Sequence, residues 1–259
     1  MKLRFLGTGT SFGIPVIGCS CAACTSADPR DRRTRHGALL QSDDARTTLL
    51  IDTPPELRLQ LLAAQVSHLD AVWFTHAHAD HTHGIDDLRI FSHDANRTLP
   101  AYADVTCAQF MREKFNYIFD AEYQPIGGPK VNLRLNQISA HQPIDIGSLR
   151  MLPLPFPHGD LQTFGFRVGD LGYVTDAKLV TSDARAALRG VRVLVLNALW
   201  FGKSHATHMN IEEAVETAHD IGAERTFLTH LTHRVVHQSA LAALPPDVQP
   251  AYDGLVVEI

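Results

Sequence analysis

Short apolar runs alternate with helical periodicities along the whole chain. The stretches 48–52, 71–74, 149–154, 172–176, 192–196 and 226–230 are rich in Val, Leu, Ile and Phe and too short for helices. They read as buried strands, with 1–7 as an opening strand and 254–259 as a closing one. Between them the periodicity predicts helices over 56–66, 106–119, 182–188 and 211–221. The last is the best marked. Asn210 caps it, Glu213 completes a capping-box spacing, Ala214, Val215, Ala218 and Ile221 make an apolar stripe, and Gly222 stops it. Cys107, Phe110, Met111, Phe115 and Ile118 likewise share one face, which makes Cys107 an inert core thiol. Strands interleaved with helices, without a low-complexity tract or linker, indicate an α/β fold with 1–259 as a single domain.

Composition narrows the class. With 259 residues, 45% hydrophobic and 20% charged, the chain can bury a large core. No apolar run approaches a membrane span, and residues 1–7 do not read as a signal peptide. A cytoplasmic protein is expected. A formal charge of −5 gives no broad attraction for nucleic acid. Fifteen histidines is a high count that metal ligation explains only in part.

The candidate chemistry begins at Thr75-His76-Ala77-His78-Ala79-Asp80-His81, directly after the apolar run 71–74. Neutral imidazole and carboxylate are the donors first-row divalent metals take. If the strand continues, His76 and His78 project on one side and can reach one ion. Asp80 and His81, past a bend, are free for a second.

This H-x-H-x-D-H spacing resembles the metallo-β-lactamase superfamily, which implies a four-layer αββα sandwich with a one- or two-metal hydrolase centre at one edge. The resemblance places further ligands downstream at strand ends, where open α/β sheets put their chemistry for general reasons. His158 follows the 149–154 run, Asp176 ends 172–176, and His230 ends 226–230. By resemblance His76, His78 and His158 hold one metal, Asp80, His81 and His230 the other, and Asp176 bridges. Asp52 ends its own run and reads either as a carboxylate steering a ligand histidine or as a helix N-cap ahead of Pro54 and Pro55.

Cys19-Ser20-Cys21-Ala22-Ala23-Cys24 is a second signal. Clustered thiols in a cytoplasmic chain point to a metal rather than a disulfide. Structural zinc wants four protein ligands, and His233, three residues beyond His230, is the candidate fourth. A metal-free loop and a different fourth ligand are the alternatives. With this C-x-C-x-x-C loop the chain resembles, nearly end to end, the phosphoribosyl cyclic-phosphate phosphodiesterases of the PhnP type. There the cysteine set and a distal histidine hold a structural zinc. Gly7, Gly9 and Gly13 miss the dinucleotide fingerprint, with Phe12 where a glycine belongs, and read as a tight turn.

The expected reaction is attack of metal-activated hydroxide on a phosphodiester, with two manganese or zinc ions in the centre. A nearby acid should protonate the leaving alkoxide. His208, two residues before the Asn210 cap, is the candidate and His205 its rival. The PhnP type places its acid in a matching context. Asp80 is expected to be essential for catalysis. Segment 89–130 would cover the metals, with Arg89, Arg97, Tyr102, Lys114, Tyr117 and Tyr123 unassigned, and the basic run 30–35 reads as a solvated loop. The leading reading is a phosphodiesterase acting on small cyclic phosphodiesters. The alternatives are a nuclease like the tRNA 3′-processing endonuclease, which should carry a basic arm absent here, and a non-hydrolytic relative resembling PqqB. A homodimer is consistent with the resemblance.

Overall fold

The computed structural model describes every residue except 94–96, 121 and 124. Two seven-stranded sheets carry the apolar runs. The first runs in spatial order Val256–Glu258, Lys2–Gly7, Gly37–Gln41, Thr48–Ile51, Ala71–Trp73, Leu99–Ala103 and Leu133–Gln137. The second runs Val248–Pro250, Arg225–Thr229, Val193–Asn197, Leu171–Tyr173, Leu161–Val168, Leu149–His158 and Ile144–Ile146. Each is antiparallel over one half and parallel over the other.

The sheets face each other across a core that includes Phe5, Trp73, Phe166, Tyr173 and Phe227. Burying each such side chain is worth about 1.5–3 kcal/mol. Trp73 also crosses the gap, its indole N–H donating to the Phe164 carbonyl at 2.8 Å. Helices Leu57–Ala63 and Val105–Lys114 cover the outer face of the first sheet. Ser182–Leu188, Ile211–Ile221 and His237–Ala243 cover the second. The result is the αββα sandwich. Among the described residues no helix is long and apolar enough to cross a membrane.

Helix Ile211–Ile221 has the expected capping box at Asn210 and Glu213, and Gly222 ends it in a left-handed conformation. Other expectations shift. The helix expected over 106–119 breaks at Phe115, giving Val105–Lys114 and Asn116–Phe119. Phe115 turns inward there, while Phe110 is 40% exposed rather than on the buried face. The basic run is not wholly solvated. Arg33 is fully buried, donating to the Val235 carbonyl at 2.8 Å and pairing with buried Asp31 at 3.2 Å.

Register sets the site. Ile51 lies opposite Trp73 in the first sheet, and Asn197 opposite Thr229 in the second. These parallel strands therefore end level. The segments leaving their carboxyl ends meet along one edge.

Candidate metal centre

Each strand end delivers its side chain through an abrupt backbone change. Asp52, Asp176 and His230 all adopt positive φ, at 61°, 55° and 58°. This region is sparse for residues other than glycine, although Asp, Asn and His tolerate it best. His76 and His78 lie on the loop after Ala71–Trp73 rather than on the strand itself, and His78 precedes the short helix Ala79–Thr82. That helix turns Asp80 and His81 inward, both buried.

The donor atoms converge in two groups that share a carboxylate. His76 Nε2 lies 3.0 Å from His78 Nδ1, and His158 Nε2 lies 3.3 Å from the same atom. Asp80, His81 and His230 form the second group, their donor atoms within 4.8 Å of one another. Asp176 stands between, with Oδ1 3.5 Å from His81 Nε2 and Oδ2 3.1 Å from His230 Nε2. One Asp176 oxygen lies 4.0 Å from His76 Nε2.

Three of the ring nitrogens facing away from the cluster are already held. His81 Nδ1 meets Asp52 Oδ2 at 2.6 Å, His158 Nδ1 meets the Thr207 carbonyl at 3.2 Å, and His76 Nδ1 meets Thr75 Oγ1 at 3.1 Å. Asp52 also accepts from the Thr75 amide and hydroxyl. It is the carboxylate behind a histidine and not a helix cap. Among the described residues, the inward atoms His81 Nε2 and His230 Nε2 are buried without hydrogen-bond partners, as is His230 Nδ1. Such an atom costs about 1–3 kcal/mol when left unpaired, and a divalent cation is the partner that suits it. The donor set therefore fits metal ions.

Electrostatics supports the same fit. Burial pushes the imidazoles of His76, His78 and His158 below their ordinary range, toward the neutral form that binds metal. Burial would lower His81 too, but Asp176, Asp52 and Asp80 outweigh it and hold His81 well above the usual value, so this carboxylate charge calls for a cation, which a metal ion would supply in place of the ring proton. In return His230 and His81 overcome burial and keep Asp176 well below the usual carboxylate range.

His208 joins this edge. Its Nε2 lies 3.2 Å from Asp176 Oδ2, its Nδ1 2.8 Å from Thr207 Oγ1, and its ring stacks on His230 at 5.1 Å between centroids. It also lies close enough to His158 and Asp176 to complete a third possible ligand group. His205 is farther out, its ring 5.4 Å from that of His208. A cavity of about 440 Å³ opens over His78, Asp80, His158, Asp176, His208 and His230. Arg89, Arg97, Tyr102, Tyr117 and Tyr123 do not line it. Neither does Lys114, which donates to the Ala77 carbonyl at 2.7 Å. Residues 94–96, 121 and 124 of the expected cover lie outside the described residues.

The thiols of Cys19, Cys21 and Cys24 surround His233 Nδ1 at 3.2, 3.5 and 3.8 Å. A tetrahedral zinc with Zn–S near 2.3 Å and Zn–N near 2.0–2.1 Å has S···N edges of about 3.6 Å. The three S···N distances bracket that value, and all four atoms lie within 4.8 Å of one another.

Three contributors escaped the sequence reading. Ser11 and Asp160 line the cavity. His36 lies fully buried behind the histidines, its Nε2 2.7 Å from the Tyr173 hydroxyl and its ring 5.5 Å from that of His81. Ser11 and Asp160 lie in the glycine loop and the His158-Gly159-Asp160 segment that carry the resemblance but had no role assigned, and the signal for His36 is a polar residue two positions before the apolar run 38–40.

Stacked mixed sheets with a histidine and aspartate cluster at their strand ends define a class, the αββα metal-dependent hydrolases. The chain belongs to the metallo-β-lactamase superfamily: residues 47–231 match the family described as a beta-lactamase superfamily domain. It resembles the PhnP type within it. The crystal structure of a new diphosphatase from the PhnP family superposes with a TM-score of 0.90 at 34% identity, covering 100% of this chain and 97% of that one. An octanoyltransferase of Porphyromonas gingivalis is 37% identical over 98% of this chain and 51% of its own. This chain thus spans about half the length of that relative. Coenzyme PQQ synthesis protein B of a Methylobacterium species is 27% identical over 76% of this chain and 72% of its own.

Proposed function

We propose that the protein is a metal-dependent phosphodiesterase that hydrolyses small cyclic phosphodiesters. His76, His78 and His158 would hold one divalent ion, Asp80, His81 and His230 a second, and Asp176 would bridge them. The observation that carries this reading is the position of Asp176 between two donor groups, one buried and one open to solvent at His78, with His208 beside it. A bound pair of manganese or zinc ions supplies positive charge against phosphoryl oxygens and a water of lowered pKa.

The chain's own residues supply the rest. His208 lies in the cavity, and its ring is fixed at one nitrogen by Thr207 and at the other by Asp176. From there it can hand a proton to a leaving alkoxide, which a metal does poorly. The cavity suits a sugar phosphate in size. Neither the net charge of −5 nor the lining, which among the described residues holds no lysine or arginine, favours a long nucleic acid. Cys19, Cys21, Cys24 and His233 would carry a structural zinc that ties the N-terminal loop to the segment following His230.

The likeness to PQQ synthesis protein B supports a second, non-hydrolytic reading. One experiment separates the two: phosphorus NMR of manganese-loaded protein with ribose 1,2-cyclic phosphate and, separately, a 2′,3′-cyclic nucleotide. Catalytic opening of either ring to one monoester is expected. With both metal positions filled and neither ring opened, the phosphodiesterase reading falls.

A further inference from the structure

His208 is carried by a loop, with neither strand nor helix beneath it to hold its ring against Asp176. The ends of that loop are closed. The Trp200 carbonyl accepts from the Ile211 amide at 2.9 Å, and the Met209 amide donates to the Ala177 carbonyl at 3.1 Å. Its middle is gathered by one side chain. Lys178 Nζ donates to Ser204 Oγ at 2.8 Å, to the two Glu213 oxygens at 2.9 and 3.0 Å, and to the His208 carbonyl at 3.5 Å. A lysine ammonium has three donors, and these three partners match them.

The partners are fixed in turn. Glu213 closes the capping box of helix Ile211–Ile221 by accepting from the Asn210 amide at 2.9 Å, and it also accepts from Ser204 Oγ at 2.6 Å. Lys178 follows Asp176 by two residues, and its own amide donates to the Pro157 carbonyl, next to His158, at 2.9 Å. One residue thus joins the strand end that carries Asp176, the segment that carries His158 and the loop that carries His208. Its side chain is only 26% exposed, so its ion pair is less screened than one at the open surface. Lys178 does not line the cavity, so any influence on the reaction must pass through what it holds. Supporting contacts of this kind fix a reacting group to within the fraction of an ångström that catalysis requires.

We infer that Lys178, clamped to Glu213 and Ser204, is the positioning residue that holds His208 against Asp176, and that it serves the reaction through this proton donor alone. The reaction itself rests on the phosphodiesterase reading, so the test includes a measurement without substrate. In manganese-loaded full-length protein, Lys178→Met should lower kcat on ribose 1,2-cyclic phosphate by about 10- to 100-fold, the scale of a 1 Å misplacement. KM should stay within about twofold, since no group that binds substrate is lost. The loss on a p-nitrophenyl diester should be much smaller, following the pattern of a missing acid. Lys178→Arg, whose guanidinium can bind both Glu213 oxygens, should recover most of the rate. In zinc-loaded protein, proton NMR should show the His208 ring signal of Lys178→Met shifted or broadened, with those of His76 and His158 in place. Undiminished kcat, equal losses on both esters, or an unmoved His208 signal in the folded variant overturns the inference. Ser204→Ala, at an exposed position, carries the same test should Lys178→Met fail to fold. If the unaltered protein opens no ring, the phosphodiesterase reading falls, and the His208 signal alone then decides whether Lys178 holds it.

Discussion

The Asp52 carboxylate grips His81 from behind: Oδ2 lies 2.6 Å from Nδ1, while both oxygens accept from Thr75 at 2.8 Å. This fixes the ring so that Nε2 faces Asp80 and Asp176. Carboxylates in this position typically contribute 10–100-fold to metal affinity. Asp52→Ala should therefore weaken binding of one of two ions by about that factor in a competition titration. It should also cost about 1–3 kcal/mol of stability through the unpaired Thr75 amide. Unaltered affinity for both ions would remove Asp52 from this role.

Asp80→Ala tests the division of the donors into two sets. Asp80 belongs to the group of His81 and His230 and not to that of His76, His78 and His158. Elemental analysis should show one ion lost and the other retained, with hydrolysis abolished and the circular dichroism spectrum unaltered. Undiminished turnover would sink the two-ion arrangement.

His208→Ala separates proton donor from ligand. An acid role predicts losses of about 10²–10⁴-fold on esters with alkoxide leaving groups. The loss on a p-nitrophenyl diester, whose leaving group needs no proton, should be much smaller. Both ions should remain. Equal losses on both substrates with one ion missing would instead make His208 a ligand, for which its closeness to His158 and Asp176 leaves room.

What the sequence revealed and concealed follows from the range of the interactions. Local rules read helix Ile211–Ile221 and its caps correctly because every signal lies within a few residues. The H-x-H-x-D-H spacing stood out directly after an apolar run, and the resemblance it carries then singled out Asp176 and His230 at the ends of two further runs. Asp160 and Ser11 did not, since a turn residue acquires meaning only when distant loops converge on it. Arg33 looked like one more surface charge until Asp31 and the Val235 carbonyl, 202 residues away, enclosed it. The break at Phe115 was hidden because the apolar stripe runs on through it to Ile118.

Asp253 ties the chain's last turn to the glycine loop. Its two oxygens accept from the amides and hydroxyls of Thr8 and Thr34, at 2.6 to 2.9 Å. The Thr8 carbonyl in turn accepts from the Leu231 amide, next to His230. Asp253→Asn turns an amide NH₂ toward donors that need an acceptor, and should lower stability by about 1–3 kcal/mol. Urea denaturation measures this. A midpoint equal to that of the unaltered protein would contradict the clamp.

Removal of metal from the cysteine site should be felt at the other centre. His230 and His233 share one short segment, Thr229 to Arg234 bracketing both. Cys24→Ser is expected to lose a third equivalent of zinc and to lower the melting temperature by several degrees, since metal binding is coupled to folding free energy. Equal zinc content in the variant would exclude Cys24 as a ligand.

The left-handed backbone at Asp52, Asp176 and His230 restricts more than geometry. A β-branched or bulky residue at any of the three would clash with its own carbonyl. Aspartate, asparagine and histidine are the side-chain-bearing residues that enter this region most readily, and aspartate and histidine are also good metal donors. Two independent filters, one steric and one chemical, thus admit nearly the same short alphabet. A β-branched replacement at any of these positions would therefore add a backbone cost of about 1–3 kcal/mol to the loss of a donor atom.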